Sequence, residues 1–244
     1  MELTVLGCGD AFGNGERYHT SFLVSVDNEH VLLDCGTTTL IRLKEEKIDL
    51  EAISTVVISH FHGDHFGGLP FLFISALFEH PRKSPLTIVG PKGLKEKVFQ
   101  LQDIMYPGTA EKLSMLALEF VEFEEGTSLT IGEKTLDAYQ MEHSPESSPH
   151  GYRLTWRGKS IAFSGDTSMT EQLYKLSNDA DLFLCECNFM TGVNFGHLSY
   201  EEVSKIEQQL SCKELWLTHM NDEMISSNEV AINRLKTGMR IAIQ

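Results

Sequence analysis

Short apolar runs recur along this chain, and many are closed by Gly, Asp or His. Their length and their content of Val, Ile, Leu, Phe and Thr predict strands. These fall at Leu3–Leu6, Phe22–Val26, Val31–Asp34, Thr55–Ser59, Leu86–Val89, Leu118–Phe123, Thr135–Met141, Gly151–Trp156, Ser160–Ser164, Leu182–Glu186 and Glu214–Thr218. Apolar residues three and four apart predict helices over Thr39–Glu46, Leu69–Glu79, Gly93–Ile104, Thr170–Ser177, Tyr200–Gln209 and Asn228–Lys236. Strands lead into helices and into further strands in both halves. That succession defines an α/β or α+β fold of two sheets with outer helices. No linker or repeat divides the chain, so residues 1–244 read as one domain. Between two of the strands, Trp156-Arg157-Gly158-Lys159-Ser160 reads as a tight hairpin.

Composition narrows the classes. Hydrophobic residues make up 41% of the 244, enough for a sizeable core. No apolar run has the length of a membrane span, and Met1-Glu2-Leu3-Thr4-Val5 enters strand-like sequence without a basic leader. Five cysteines, an odd number, show no zinc-ribbon spacing and read as reduced buried thiols of a cytoplasmic protein. Cys185 and Cys187 share one face of their strand, and Glu186 takes the other. The formal charge is −15, from 35 acidic and 20 basic residues. Such a surface does not attract nucleic acid as a whole, although bound cations would add local positive charge.

The densest chemistry is His60-Phe61-His62-Gly63-Asp64-His65, directly after Val56-Val57-Ile58-Ser59. Alternate histidines on extended backbone point the same way. Gly63 is expected to turn the chain tightly, so that Asp64 and His65 face a neighbouring point. Imidazole and carboxylate together suit zinc first, with manganese or iron as alternatives.

Three further candidates each follow the carboxyl end of an apolar strand: His143, Asp166 and His219. Loops at that edge of a sheet commonly hold ligand sites. The expected arrangement is two divalent metal ions. His60, His62 and His143 surround one, Asp64, His65 and His219 the other, and Asp166 bridges. His150 competes with His143 across a Ser/Pro-rich loop, while His19, His30 and His80 lack this context.

These residues give the chain a family likeness. It resembles the metallo-β-lactamase-fold hydrolases in the six-residue motif, in Ser164-Gly165-Asp166-Thr167 and in Leu217-Thr218-His219, in family order. The resemblance implies a four-layer αββα sandwich. Asp166 stands where true β-lactamases usually carry cysteine, which argues against antibiotic hydrolysis. Within the superfamily the chain is most similar to the tRNase Z branch and its small phosphodiesterase relatives. Gly67-Gly68-Leu69-Pro70, Gly90-Pro91-Lys92-Gly93-Leu94 and Gly196-His197-Leu198-Ser199 carry that likeness. It implies that His197 is the branch's second-site histidine and Glu186 its acidic partner. One departure stands out. The long tRNA-holding arm of that branch emerges between the two strands joined here by the short turn at Arg157-Gly158.

The resemblance implies a phosphodiesterase that attacks a small or nucleotide-like phosphodiester with a metal-bridging hydroxide. Asp64 would orient the nucleophile, and His197, held by Glu186, would protonate the leaving group. The expected partners are a small anionic ester, no membrane and a second copy of the chain. Without the arm, and with this acidic charge, nucleic acid ranks second as a substrate. The alternatives are a tRNase Z-like endoribonuclease, a thioester hydrolase of the glyoxalase II type and a non-catalytic metal-binding protein.

Overall fold

The structure, a computed structural model, describes residues 1–123, 126–194 and 196–244. Its strands are β1 (Glu2–Gly7), β2 (Ser21–Val26), β3 (Glu29–Leu33), β4 (Ile53–Val57), β5 (Leu86–Gly90), β6 (Leu118–Glu122) and β7 (Ser128–Ile131). They continue with β8 (Lys134–Gln140), β9 (His150–Trp156), β10 (Lys159–Phe163), β11 (Leu182–Glu186), β12 (Glu214–Thr218), β13 (Asn233–Arg234) and β14 (Arg240–Ala242). The α-helices are α1 (Thr39–Glu45), α2 (Gly63–Phe66), α3 (Leu69–Ile74), α4 (Leu94–Met105), α5 (Gln172–Ser177), α6 (Tyr200–Ile206) and α7 (Asp222–Ser226).

Two sheets form, in the orders β14-β1-β2-β3-β4-β5-β6 and β13-β12-β11-β10-β9-β8-β7. Antiparallel pairs occupy one side of each sheet and parallel pairs the other. Period-two alternation assigns side chains to layers. Val31 and Leu33 of β3, with Leu182 and Leu184 of β11, enter the core between the sheets. Leu32 faces outward beneath Leu43, Leu69, Leu72 and Leu94, in the layer of α1, α3 and α4. Phe183 and Cys185 face Leu173, Leu176, Val203 and Ile206, in the layer of α5 and α6. This is the αββα sandwich that the resemblance implies, with a core on each of three interfaces.

Three local expectations need correction. The helix over Asn228–Lys236 is absent. Val230 and Ile232 are buried between exposed neighbours, which is the alternation of extended chain, and Asn233–Arg234 pairs with Trp216 and Leu217. The helix of this region lies earlier, at α7, where the Asn221 side chain accepts from the Met224 N–H. The helix expected over Leu69–Glu79 stays α-helical only to Ile74 and ends in a π-turn, its last N–H at His80 reaching Ser75 O at 2.9 Å. Pro81 follows, and His80 leaves the helical region with φ −130°. Gly63, expected to turn the chain, instead begins α2 without a positive φ.

Candidate metal centre

The candidate ligands arrive on the carboxyl ends of strands from both sheets. β4 leads to His60 and His62, and β8 leads to His143. β10 leads to Asp166, and β12 to His219. His62 is still extended, with φ −86° and ψ 148°, and serves as the cap from which α2 springs. One turn of helix then tucks Asp64 and His65 inward, and both are buried.

Three groups of metal-competent side chains form among the described residues; Glu186, His197 and His219 make one, and the two of four ligands are His60, His62, His143 and Asp166, and Asp64, His65, Asp166 and His219. Asp166 belongs to both groups of four. In the first group, His143 Nε2 lies 3.1 Å from His62 Nδ1 and 3.9 Å from Asp166 Oδ2, which is 3.6 Å from His60 Nε2. In the second, His65 Nε2 and His219 Nε2 are 3.4 Å apart, and each lies 3.2–3.4 Å from an oxygen of Asp64 and one of Asp166. Four ligands at about 2.0–2.1 Å from a tetrahedral ion stand roughly 3.4 Å from one another, so the spacing suits an ion inside each group. His60 Nε2 and Asp166 Oδ1 are buried without a hydrogen-bond partner, which a cation would satisfy.

The outer nitrogens of the rings are fixed. His65 Nδ1–H donates to Asp34 Oδ2 at 2.6 Å, and His143 Nδ1–H donates to the Gly196 carbonyl at 2.6 Å. Ser59 Oγ donates to Asp34 and so can accept from His60 Nδ1–H at 3.0 Å. Each bond turns Nε2 inward. Gly196 sits at φ 83°, and a Cβ there would lie 2.6 Å from His143 Nδ1.

Electrostatics divide the rings. Burial holds His60 well below the usual histidine range and lowers His143 to about 4, leaving both neutral and ready to ligate. Burial also disfavours charge on His65, but Asp166 and Asp64 outweigh it and hold that ring well above its ordinary value. The two carboxyls lie far below theirs. Burial opposes this at each, and His65 and His219 overcome it.

Beside these groups, His197 Nδ1–H donates to Glu186 Oε1 at 2.9 Å, and its ring stacks on His219 at a centroid distance of 5.3 Å. Glu186 is fully buried and also accepts the Thr167 and Leu198 N–H groups. Burial disfavours charge on His197, but the Glu186 bond outweighs it and raises the ring to about 9. Burial pushes the Glu186 carboxyl up from its ordinary range, and the bond to His197 opposes that shift.

All nine residues singled out in the sequence therefore come together. His150 does not join them; its Nδ1 bonds the Ser148 carbonyl and its ring packs on Phe123. Asp34 is the residue that sequence reasoning missed. Its signal was the one used for Asp166, a carboxylate closing an apolar strand. Asn188 was also missed. Its amide donates to the His219 carbonyl at 2.8 Å, steadying a ligand with φ 57°.

A two-sheet αββα fold whose strand ends gather these histidines and aspartates defines a metallo-β-lactamase-fold, tRNase Z-like protein, a metal-dependent hydrolase. The chain belongs to the family described as Anti-Pycsar protein Apyc1, whose model matches residues 1–238. It is 26% identical over 274 aligned positions to Ribonuclease Z of Clostridium acetobutylicum, covering 91% of this chain and 88% of that one. Among solved structures it is similar to the short form of human tRNase Z, with a TM-score of 0.80, 22% identity and complete coverage of both chains. A diphosphatase of the PhnP family gives a TM-score of 0.78 at 17% identity, covering 100% of this chain and 98% of that one.

Proposed function

We propose that this chain is a phosphodiesterase acting on a small or nucleotide-like phosphodiester. The observation that carries the reading is a histidine hydrogen-bonded at 2.9 Å to a buried carboxylate, beside two ligand groups that share Asp166. Diesters with alkoxide leaving groups need a proton as well as an attacking water.

Seven residues would hold two divalent cations, zinc first, with manganese or iron as alternatives: His60, His62 and His143, then Asp64, His65 and His219, with Asp166 between. Bound there, the cations would supply Lewis-acid charge and make water acidic enough to ionise near neutral pH. Asp64 Oδ2 lies beside His65 and His219, which leaves its other oxygen to orient the attacking water. His197 would give its Nε2 proton to the leaving oxygen while Glu186 holds the ring through Nδ1.

The name Ribonuclease Z carried by the relatives favours a second reading, cleavage of RNA. Net charge alone therefore weighs less against nucleic acid than the sequence reading allowed. Against the second reading, β9 and β10 are joined by Arg157 and Gly158 alone, at the place where tRNase Z carries its arm.

No helix among the described residues is long and apolar enough to cross a membrane. The free cysteines support a cytoplasmic setting. A groove lined by Leu40, Phe71, Ile74, Phe78 and Tyr106 supports association with a second copy. The deciding experiment is metal analysis of the purified protein together with turnover of bis-nitrophenyl phosphate, cyclic nucleotides, thioesters and a tRNA precursor. Cleavage of the diesters is expected. Turnover confined to thioesters or to the tRNA precursor would replace this reading.

A further inference from the structure

The two most exposed large apolar side chains among the described residues are Phe12, 87% accessible, and Val193, 89% accessible. Both hang on loops that end in the site. Val193 precedes Asn194, whose carbonyl accepts the His197 N–H. Phe12 lies on the connection between β1 and β2, which runs from Gly9 to His19, paired with each other in a bridge.

This connection is pinned. Asp10 is fully buried, and its Oδ1 accepts the N–H groups of Phe12 at 3.2 Å and Asn14 at 3.1 Å. Asp10 Oδ2 faces the Asn188 amide, which also bonds the His219 carbonyl, and the His219 N–H donates to Cys8 O. The Gly15 N–H donates to Asp222 of α7 at 2.8 Å. A fixed loop that holds a phenyl ring in water forgoes its burial and gains nothing for folding.

At the other end, His19 packs against Gly36, which lies on the Asp64 carbonyl of the second ligand group. Its Nδ1 bonds the Thr37 hydroxyl at 2.6 Å. Gly36 separates His19 from α2, and a Cβ at Gly36 would meet both the Asp64 carbonyl and His19 Cβ. The charges of Asp64, Asp10, His65 and His219 all reach the His19 ring, yet neither ligand group includes it.

We propose that this loop recognises the organic part of the ester: Phe12 stacks on its base, and His19 Nε2 hydrogen-bonds the phosphate or sugar oxygen nearest the second ligand group. The inference rests on the phosphodiesterase reading above. Stacking suits a nucleobase because every base offers a π-face to an aromatic ring.

The test compares the 4-nitrophenyl ester of thymidine 5′-monophosphate with ethyl 4-nitrophenyl phosphate, which share a leaving group and differ in the nucleoside. Phe12→Ala is expected to raise KM for the nucleotide ester about tenfold more than for the ethyl ester. His19→Ala is expected to raise KM for both with metal content retained, and His19→Gln to recover part of the loss. Phe12→Trp should change fluorescence when the metal-loaded protein is titrated with thymidine 5′-monophosphate.

Equal effects of Phe12→Ala on the two esters would overturn the proposal, as would a silent titration. Loss of a metal ion in His19→Ala would make His19 a ligand, and a change of molecular mass in Phe12→Ala would assign the ring to a second copy; either outcome also overturns it. A wild type that cleaves neither ester would sink the phosphodiesterase reading instead, and the titration would still decide the loop.

Discussion

His197 is raised above the ordinary histidine value because its bond to a buried carboxylate outweighs the cost of charging a partly buried ring. Its pKa is raised, so the acid form is present below that value and lost as pH rises through it. The pH profile of kcat/KM is expected to fall on a basic limb at or below about 9, since cations nearby would pull the value down. Glu186→Gln should shift that limb to lower pH; an unmoved limb would assign it to another group. His197→Ala should slow alkyl esters far more than nitrophenyl esters while sparing metal content. Equal slowing would remove His197 as the acid. Asp64→Ala should abolish turnover and leave metal in the group of His60, His62 and His143. Asp34→Asn keeps the shape but weakens the hold on His65, and metal affinity should fall about 10- to 100-fold by competition titration.

At the scale of elements, α6 begins at a capping box in which Ser199 accepts the Glu202 N–H and Glu202 reaches back to the Ser199 N–H. Ser199→Ala should lower stability by about 1 kcal/mol in urea denaturation. The helix was legible over Tyr200–Gln209 because its apolar spacing is local; the capping box came from the structure. The β9–β10 hairpin was legible for a similar reason. Two residues with positive φ, Arg157 at 49° and Gly158 at 75°, close it, and the local sequence sets that geometry. By contrast, β13 and β14 carry two and three residues. Strands so short take their place from a neighbour, and only the partner strands β12 and β1 reveal them.

Across the whole molecule, the parallel halves of both sheets aim their carboxyl ends at one rim, where two carboxylates and five imidazoles are packed together. Added cation should therefore stabilise the fold as well as restore activity. A site filled at a hundredfold over its Kd contributes about 2.7 kcal/mol. Thermal melting should shift upward with zinc or manganese and downward with chelator, and Asp166→Ala should blunt the shift most because both groups share that residue. An unchanged melt across metal-free and metal-loaded protein would argue against both groups as cation sites.

The amino-acid order alone determined eleven of the fourteen strands among the described residues, most of the helices, the seven candidate metal ligands and their rule of placement at strand ends, because these depend on neighbours a few positions away; His197 and Glu186 entered through the family resemblance. The assembly of those residues was decided only in three dimensions. His62 meets His143, and His65 meets His219 across 154 positions, once two sheets stack and share one rim. Asp34, Asn188 and the loop of Phe12 and His19 gained meaning only there, since a buried carboxylate, an amide and an exposed ring acquire roles from what the fold sets beside them.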